Sequence, residues 1–492
     1  MFDDWERRTG LFAKPTLPGA PLGKDFPLFA WLLNLIYLAL LAVLAPWIVV
    51  QMSARGKYRR GLSQKLWGAL PRREGDRPCL WLHAVSVGEV LQLRPVVDRL
   101  TKRRPDLEIV ISVTTTTGHD VARERFPHLS VVYFPLDFSW GVNRALDRIR
   151  PDLIGLVELE LWPNFLQSAA RREIPVLLIN GRISERSHRG YRRIRPFVRR
   201  MLLSLRLALM QNRVYAERLE ELGADPRTLS ISGSIKFDNV ETERSNPRTR
   251  ALREALRIGP GERVFIAGST QPPEEELAIH AWLQARRRHP DLRLILVPRH
   301  KERFEEVARL VEEQFRLPLL RRTRTLGDAQ GRGGETPGFS GEVTQDAPAI
   351  GAAVSSGAPV VLLDTLGELS ACWGLATVAF VGGSLTRRGG QNMIEPAGYG
   401  AAVLFGPNTA NFKDVVELLL VEGAALVVGN QQELTRRLEE LLADPDQAQQ
   451  MGRRAQALVL AQRGATDRTV EAMERLLDES RPTSSAEESR AA

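Results

Sequence analysis

The sequence predicts an α/β protein built of two doubly wound, Rossmann-like lobes with a cleft between them and an apolar helix ahead of the first. Three observations carry this. Short, almost continuously apolar runs rich in Val, Ile and Leu alternate with helical patterns, as parallel strands covered on both faces require. The alternation stops in the charged stretch 239–261 and then restarts. At 492 residues the chain exceeds what one core usually organises, at roughly 100–200 residues per domain.

Composition narrows the function classes. Hydrophobic content of 43% and charged content of 26% belong to a globular protein. Two cysteines, Cys79 and Cys372, exclude a disulfide framework and a Cys-rich metal site, which points to a reducing compartment. A net charge of +9 brings nucleic acid, anionic lipid and phosphorylated substrates into consideration.

Residues 1–25 read as an N-terminal extension. From Phe26 to Ala54 no charged residue occurs, and Pro27 to Val50 is nearly all apolar or aromatic, so 26–54 reads as a membrane anchor long enough to span a bilayer. The preceding segment mixes four acids with four bases, unlike a cleavable signal peptide. A buried helix of a soluble protein is the competing reading. Arg55, Lys57, Arg59, Arg60, Lys65, Arg72 and Arg73 come next with no acid among them, which by the positive-inside rule puts the remainder in the cytoplasm.

The first lobe, 55–240, has strand candidates at CLWLHAV, LEIVISVT, VVYFPL, LIGLVEL, PVLLING and LALMQN. The second, 241–480, restarts at RVFIAGST and continues through LRLILVPRH, VVLLDTL, ATVAFVGGS, AAVLFGP and AALVVG. Ligands of such sheets sit beyond the strand C-termini, so facing lobes are expected to hold them in the cleft. Arg321 to Gly357 lacks apolar periodicity and reads as a surface loop without chemistry, and 481–492 as a frayed tail.

Chemistry-bearing residues cluster where strands hand over to helices. In FVGGSLTRRGGQNMIEP a strand ends in Gly382 and Gly383, a loop carries Arg387 and Arg388, and Asn392 and Glu395 open a helix. Glycines there let backbone N–H groups approach a phosphate, and a carboxylate can accept from ribose hydroxyls, which suits a nucleotide-sugar; an ordinary strand–loop–helix corner is the alternative. In HAVSVGEV, Glu89 sits at a helix start, where it can serve as a base for a hydroxyl or simply cap the helix. His83, inside the strand, reads as a buried, hydrogen-bonded histidine. Glu158 and Glu160 end an apolar strand and share a side if the strand runs that far, either for chemistry or paired with nearby arginines. Lys236 in SIKFD, Arg299 after LILVP, and Gly367 with Glu368 in LDTLGEL complete the set. Nine arginines between Arg182 and Arg206, interleaved with apolar residues, suit anionic headgroups or a phosphorylated lipid. Nucleic acid is not expected as a partner, because no recognition-helix, zinc-finger or RNA-binding signature occurs.

The ordered set HAVSVGE, ELELWPN, NGRIS, SIKFD, VPRH, DTLGEL, FVGGSLTRRGGQNMIEP and LFGPNTANF resembles the Kdo (3-deoxy-D-manno-octulosonic acid) transferase family of lipopolysaccharide biosynthesis. The resemblance implies a GT-B fold and membrane anchoring, read as a single-pass anchor with the protein on the cytoplasmic face of the inner membrane, while whether the segment spans the bilayer or lies along it stays open. It implies CMP-Kdo as donor substrate rather than cofactor, a phosphorylated lipid A precursor as acceptor, and inversion at the anomeric carbon. By position it makes Glu89 the base, with Glu158 and Lys236 supporting the transition state. Pro298 and Arg299, Leu366, Gly367 and Glu368, and Asn392, Met393, Ile394 and Glu395 match the segments that hold CMP. No metal is called for, since positive donors and helix starts can stabilise a departing nucleoside monophosphate. Val85, Ser234 and Leu366 depart from the family's usual residues without removing a proposed catalytic group. Two other readings stay open: a GT-B transferase using a UDP-sugar on a lipid acceptor, and a non-catalytic membrane-surface binding protein.

Overall fold

A computed structural model describes residues 26–55, 60–238, 240–325 and 359–480. The expected extension 1–25, the tail 481–492 and most of the loop 321–357 lie outside them. Contacts divide the chain into unit 1, Met1–Asn239 with Gln462–Ala492, and unit 2, Val240–Ala461.

Unit 1 is built on seven parallel strands: β1 (Cys79–Ala84), β2 (Glu108–Val113), β3 (Ser130–Tyr133), β4 (Leu153–Val157), β5 (Val176–Gly181), β6 (Leu207–Met210) and β7 (Leu229–Ile231). Their order is β3-β2-β1-β4-β5-β6-β7. Alternate residues of β1 enter different cores, Cys79 and Trp81 on one face, Leu80 and Leu82 on the other. That double burial is why the strands read as unbroken apolar runs. The winding reverses between β1 and β4, which opens a crevice beyond their C-terminal ends.

The last helix, Ala465–Ser480, belongs to unit 1. Val470, Met473, Leu476 and Leu477 pack in the same core as Leu80 and Leu82, and the Asp238 carboxylate accepts from the backbone N–H groups of Gly464 and Thr466. The expected second lobe running to 480 is corrected accordingly: its apolar stripe completes a layer begun almost four hundred residues earlier, which periodicity alone does not reveal.

Unit 2 repeats the plan with β8 (Arg263–Thr270), β9 (Leu292–Pro298), β10 (Leu319–Arg321), β11 (Val360–Leu362), β12 (Val378–Val381), β13 (Ala402–Phe405) and β14 (Ala425–Val427). These seven strands are all parallel, in the order β10-β11-β9-β8-β12-β13-β14, with the reversal between β8 and β12. Two doubly wound parallel units are the architecture of the GT-B class. The sequence reading passes over β7 and β10, edge strands of three residues, too short to show a period.

Phe26–Arg55 forms one helix, and Ala30–Trp47 within it, at a mean hydropathy of 1.9, is long and apolar enough to cross a membrane by length and composition. The arginine-rich stretch forms helices Glu185–Arg192 and Arg195–Leu202, whose Val198, Met201 and Leu202 are buried in the core of unit 1. Those three apolar residues therefore serve the fold, while Arg192, Arg195 and Arg199 stand in solvent and Arg182 and Arg206 are ion-paired with Glu158 and Glu479.

Candidate active site

Unit 1 gathers three carboxylates at its crevice. Glu89 lies one turn into the helix Val87–Arg103, directly after β1. Its Oε2 accepts from the Val85 N–H at 2.7 Å and its Oε1 from the Ser86 hydroxyl at 2.8 Å, while Ser86 caps the helix. The capping and crevice readings thus describe one residue. Burial pushes its pKa up, the hydrogen bonds from Val85 and Ser86 oppose that, and the charge of Glu158 adds to the rise.

The chain turns sharply at Glu158, which adopts a left-handed backbone (φ 60) and closes β4 by donating its N–H to Ile179 O at 2.8 Å. The strand therefore stops at Val157, and the expected alternation through Glu160 is corrected. Glu158 instead forms an ion pair with Arg182 at 2.9 Å. Glu160 is pushed up to about 7, first by burial, then by the charges of Glu89 and Glu158, so the three carboxylates feel one another. His83 stacks on Phe134 at 3.7 Å, holds Ser112 through Nδ1, and is kept down to about 3 by burial, a structural role as anticipated.

Lys236 is half-buried in the one-turn helix Ile235–Phe237. Its setting depends on Asn180, a fully buried residue with a left-handed backbone (φ 53) at a register shift in β5. The Asn180 amide donates to Gln92 Oε1 at 2.5 Å, one turn beyond Glu89, and its Oδ1 accepts from the Ile235 N–H at 3.3 Å. One side chain thereby ties the helix of Glu89 to the turn of Lys236.

In unit 2 the crevice between β8 and β12 is already occupied by a carboxylate. Glu274, fully buried at the start of the helix Glu274–Arg286, accepts from the N–H groups of Gln271, Gly383, Ser384 and Leu385 at 2.7–3.0 Å. The first N–H groups of the glycine-rich loop, expected to face a phosphate, are used internally, because a carboxylate offers the same oxygens to the same cradle. Further along, Gly389 and Gly390 take left-handed backbones, and Asn411 donates to the carbonyls of Arg388 and Gly390 at 2.9 and 3.2 Å, pinning the exposed Arg387 and Arg388.

The other expected nucleotide residues come after neighbouring strands of this sheet. Pro298 ends β9, and Arg299 is exposed and close enough to Glu395 to favour its charge. Burial nevertheless raises the Glu395 pKa, and Asn392 donates to its Oε1 at 3.0 Å. Asn392 precedes the short helix Ile394–Gly398 rather than opening it, and Met393 and Ile394 are buried. After β11, Leu366 is exposed and Gly367 is left-handed (φ 84). Burial works against ionisation of Glu368, but bonds from Arg322 at 2.9–3.3 Å and from Thr365 prevail and hold it below the usual range. Arg321 likewise binds Asp364 at 2.8 Å. The start of the loop read as lacking chemistry thus secures this corner.

Comparison with known proteins decides the family. Residues 56–239 match a family model described as 3-Deoxy-D-manno-octulosonic-acid transferase (kdotransferase). A 3-deoxy-D-manno-octulosonic acid transferase of Bordetella pertussis is 33% identical over 461 residues, covering 89% of this chain and 98% of that protein. One from Haemophilus influenzae is 30% identical over 455 residues, covering 91% and 96%. The chain belongs to the Kdo transferase family. A solved structure described as the C-terminal CMP-Kdo binding domain of WaaA from Acinetobacter baumannii is similar at 27% identity over 43% of this chain and 96% of that one, with a TM-score of 0.34.

For this Kdo transferase family member, each expected site residue falls at the C-terminal side of its sheet, Glu89, Glu158 and Lys236 in unit 1 and the rest in unit 2. Sequence reasoning missed Asn180, Glu274, Arg322 and Asn411. Asn180 and Asn411 lie inside the quoted motifs NGRIS and LFGPNTANF, and Glu274 in a run of three acids just after a strand, so a signal was present for each. Among the described residues, seven non-glycines have left-handed backbones; Arg150, Glu173, Arg257 and Arg316 come after helices, whereas Glu158, Asn180 and Ser269 sit at the C-terminal ends of β4, β5 and β8. Strain of that kind concentrates where function is built.

Proposed function

We propose that this protein is an inverting glycosyltransferase that moves Kdo from CMP-Kdo to a phosphorylated lipid A precursor at the cytoplasmic face of the inner membrane. Glu89 carries the proposal: a buried carboxylate at the winding reversal, with its pKa raised by burial and by Glu158, is a stronger base than an exposed one. Glu89 takes the proton of the acceptor hydroxyl, the hydroxyl oxygen bonds to the anomeric carbon of Kdo, and CMP leaves with the electrons of the broken bond. Glu158, steadied by Arg182, and Lys236, steadied through Asn180, support the transition state. Pro298, Arg299, Leu366, Gly367, Glu368 and the segment from Asn392 to Glu395 hold CMP, with Met393 and Ile394 acting from the core beneath it.

The test supplies purified full-length protein with CMP-Kdo or a UDP-sugar and a lipid A precursor, and records product mass. Glu89→Gln is expected to lose turnover by at least about a hundredfold while donor binding by calorimetry is unchanged. Glu160→Gln is the companion variant. Full activity in Glu89→Gln with loss in Glu160→Gln would move the base to Glu160, and transfer from the UDP-sugar alone would overturn the donor.

A further inference from the structure

The apolar helix Phe26–Arg55 is latched to unit 1 near its start. Ala30, Leu33 and Asn34 are buried and Tyr37 is half-buried, the spacing of a single helix face. The Asn34 amide donates to Ser139 Oγ at 2.7 Å and its Oδ1 accepts from the Ser139 N–H at 3.0 Å. The Tyr37 hydroxyl donates to Asp137 Oδ2 at 3.1 Å, and that buried carboxylate also accepts from the N–H groups of Asn164 and Phe165. Away from this latch Trp31, Leu35, Val43, Trp47 and Val50 are 54–77% exposed. Each large apolar side chain left in water forgoes about 1.5–3 kcal/mol, so this surface calls for an apolar partner.

The chain beyond the helix limits where that partner can be. Arg60 pairs with Asp120 at 2.8 Å and Gly61 packs closely on the Tyr133 ring, so the chain is back on unit 1 by residue 60. Five peptide steps separate Arg55 from Arg60, a reach of about 18 Å at full extension, whereas the hydrocarbon core is about 30 Å thick. A helix crossing the bilayer would put Arg55 on the side opposite to Asp120, beyond that reach. Asn34 is bound to the same unit.

We propose that the helix Phe26–Arg55 enters a single leaflet and does not span the membrane: its latch holds it to unit 1, and its exposed apolar residues lie among the acyl chains. In the sequence the helix is followed by the bases Arg55, Lys57 and Arg59 with no acid near them, a composition that suits anionic lipid headgroups and favours lipid over a second protein as the occupant. This replaces the expected single-pass anchor with a monotopic one, and it does not depend on the transfer reaction.

The test uses full-length protein carrying Leu35→Cys or Val50→Cys, both exposed sites, labelled with an environment-sensitive nitrobenzoxadiazole probe; Cys79 and Cys372 are buried. Protein is added to preformed vesicles of phosphatidylethanolamine and phosphatidylglycerol, and impermeant dithionite is then added outside. Both labels are expected to brighten and shift to the blue on binding, and both to be lost completely to dithionite before detergent is added. A Val50 label protected until detergent is added would show a spanning helix and overturn the proposal. No blue shift at either site would overturn it too, with a second copy or another protein as the occupant.

Discussion

Replacing Glu274 with glutamine tests how unit 2 holds its glycine-rich loop. One carboxylate oxygen accepts from Gln271 and Gly383 at 2.9 and 2.7 Å, the other from Ser384 and Leu385 at 3.0 and 2.9 Å. Glutamine keeps the shape and one accepting oxygen, but its amino group faces two N–H donors. Two hydrogen bonds to a charged group are lost, at about 1.5–3 kcal/mol each, or roughly 3–6 kcal/mol together. A domain is stable by about 5–15 kcal/mol, so the loss is a large share of the stability of unit 2. Urea unfolding monitored by circular dichroism and tryptophan fluorescence, analysed as two transitions, should show one of them shifted by this amount and the other unmoved. Glu276→Gln, on the same helix but only half-buried, should stay within about 0.5 kcal/mol. A loss below about 1 kcal/mol in Glu274→Gln would refute the idea that this carboxylate organises the loop.

Asn180→Gly keeps the left-handed backbone but removes the bridge between Gln92 and Ile235, and should lower kcat about tenfold with little change in KM for CMP-Kdo, as steady-state kinetics would show. An unchanged kcat would leave Asn180 a purely structural residue. Removing the charge in Glu158→Gln relieves Glu89 and Glu160, both raised in part by it, so the acid limb of the residual kcat/KM profile should move to lower pH. A shift to higher pH would contradict the coupling. In Gly382→Ala the new methyl group would lie 2.6 Å from Thr270 Cα and 2.7 Å from Ser269 O, backbone atoms that have no room to retreat. Stability by urea unfolding should fall by about 2 kcal/mol or more, and a neutral outcome would mean the two strands separate more easily than their packing implies.

The long strands were legible in the sequence because β1, β8 and β9 are buried on both faces and leave runs made mostly of apolar residues. Glu89 and Glu158 were legible for a related reason: a charge that ends an apolar run must lie at a strand end, where parallel sheets bind ligands. The cradle of Glu274 was not, since its donors at Gly383 to Leu385 lie about 110 residues away in the chain and become neighbours only because β12 pairs with β8. Nor was the clamp on Glu368, because Arg322 meets it only through the pairing of β10 with β11.

By itself the chain determined its periodicities: two successions of apolar strands and helices, a charged link, and a long apolar segment with bases directly after it. These depend on residues a few positions apart, so they can be read locally. Tertiary structure decided the rest: that Ala465–Ser480 returns to unit 1, that Glu158, Asn180 and Ser269 bend into left-handed conformations, and that the apolar helix is bound near its start to unit 1, which the chain meets again at Arg60. The physical reason is that strand order sets which distant groups share a crevice, and that order exists only once the sheet has formed.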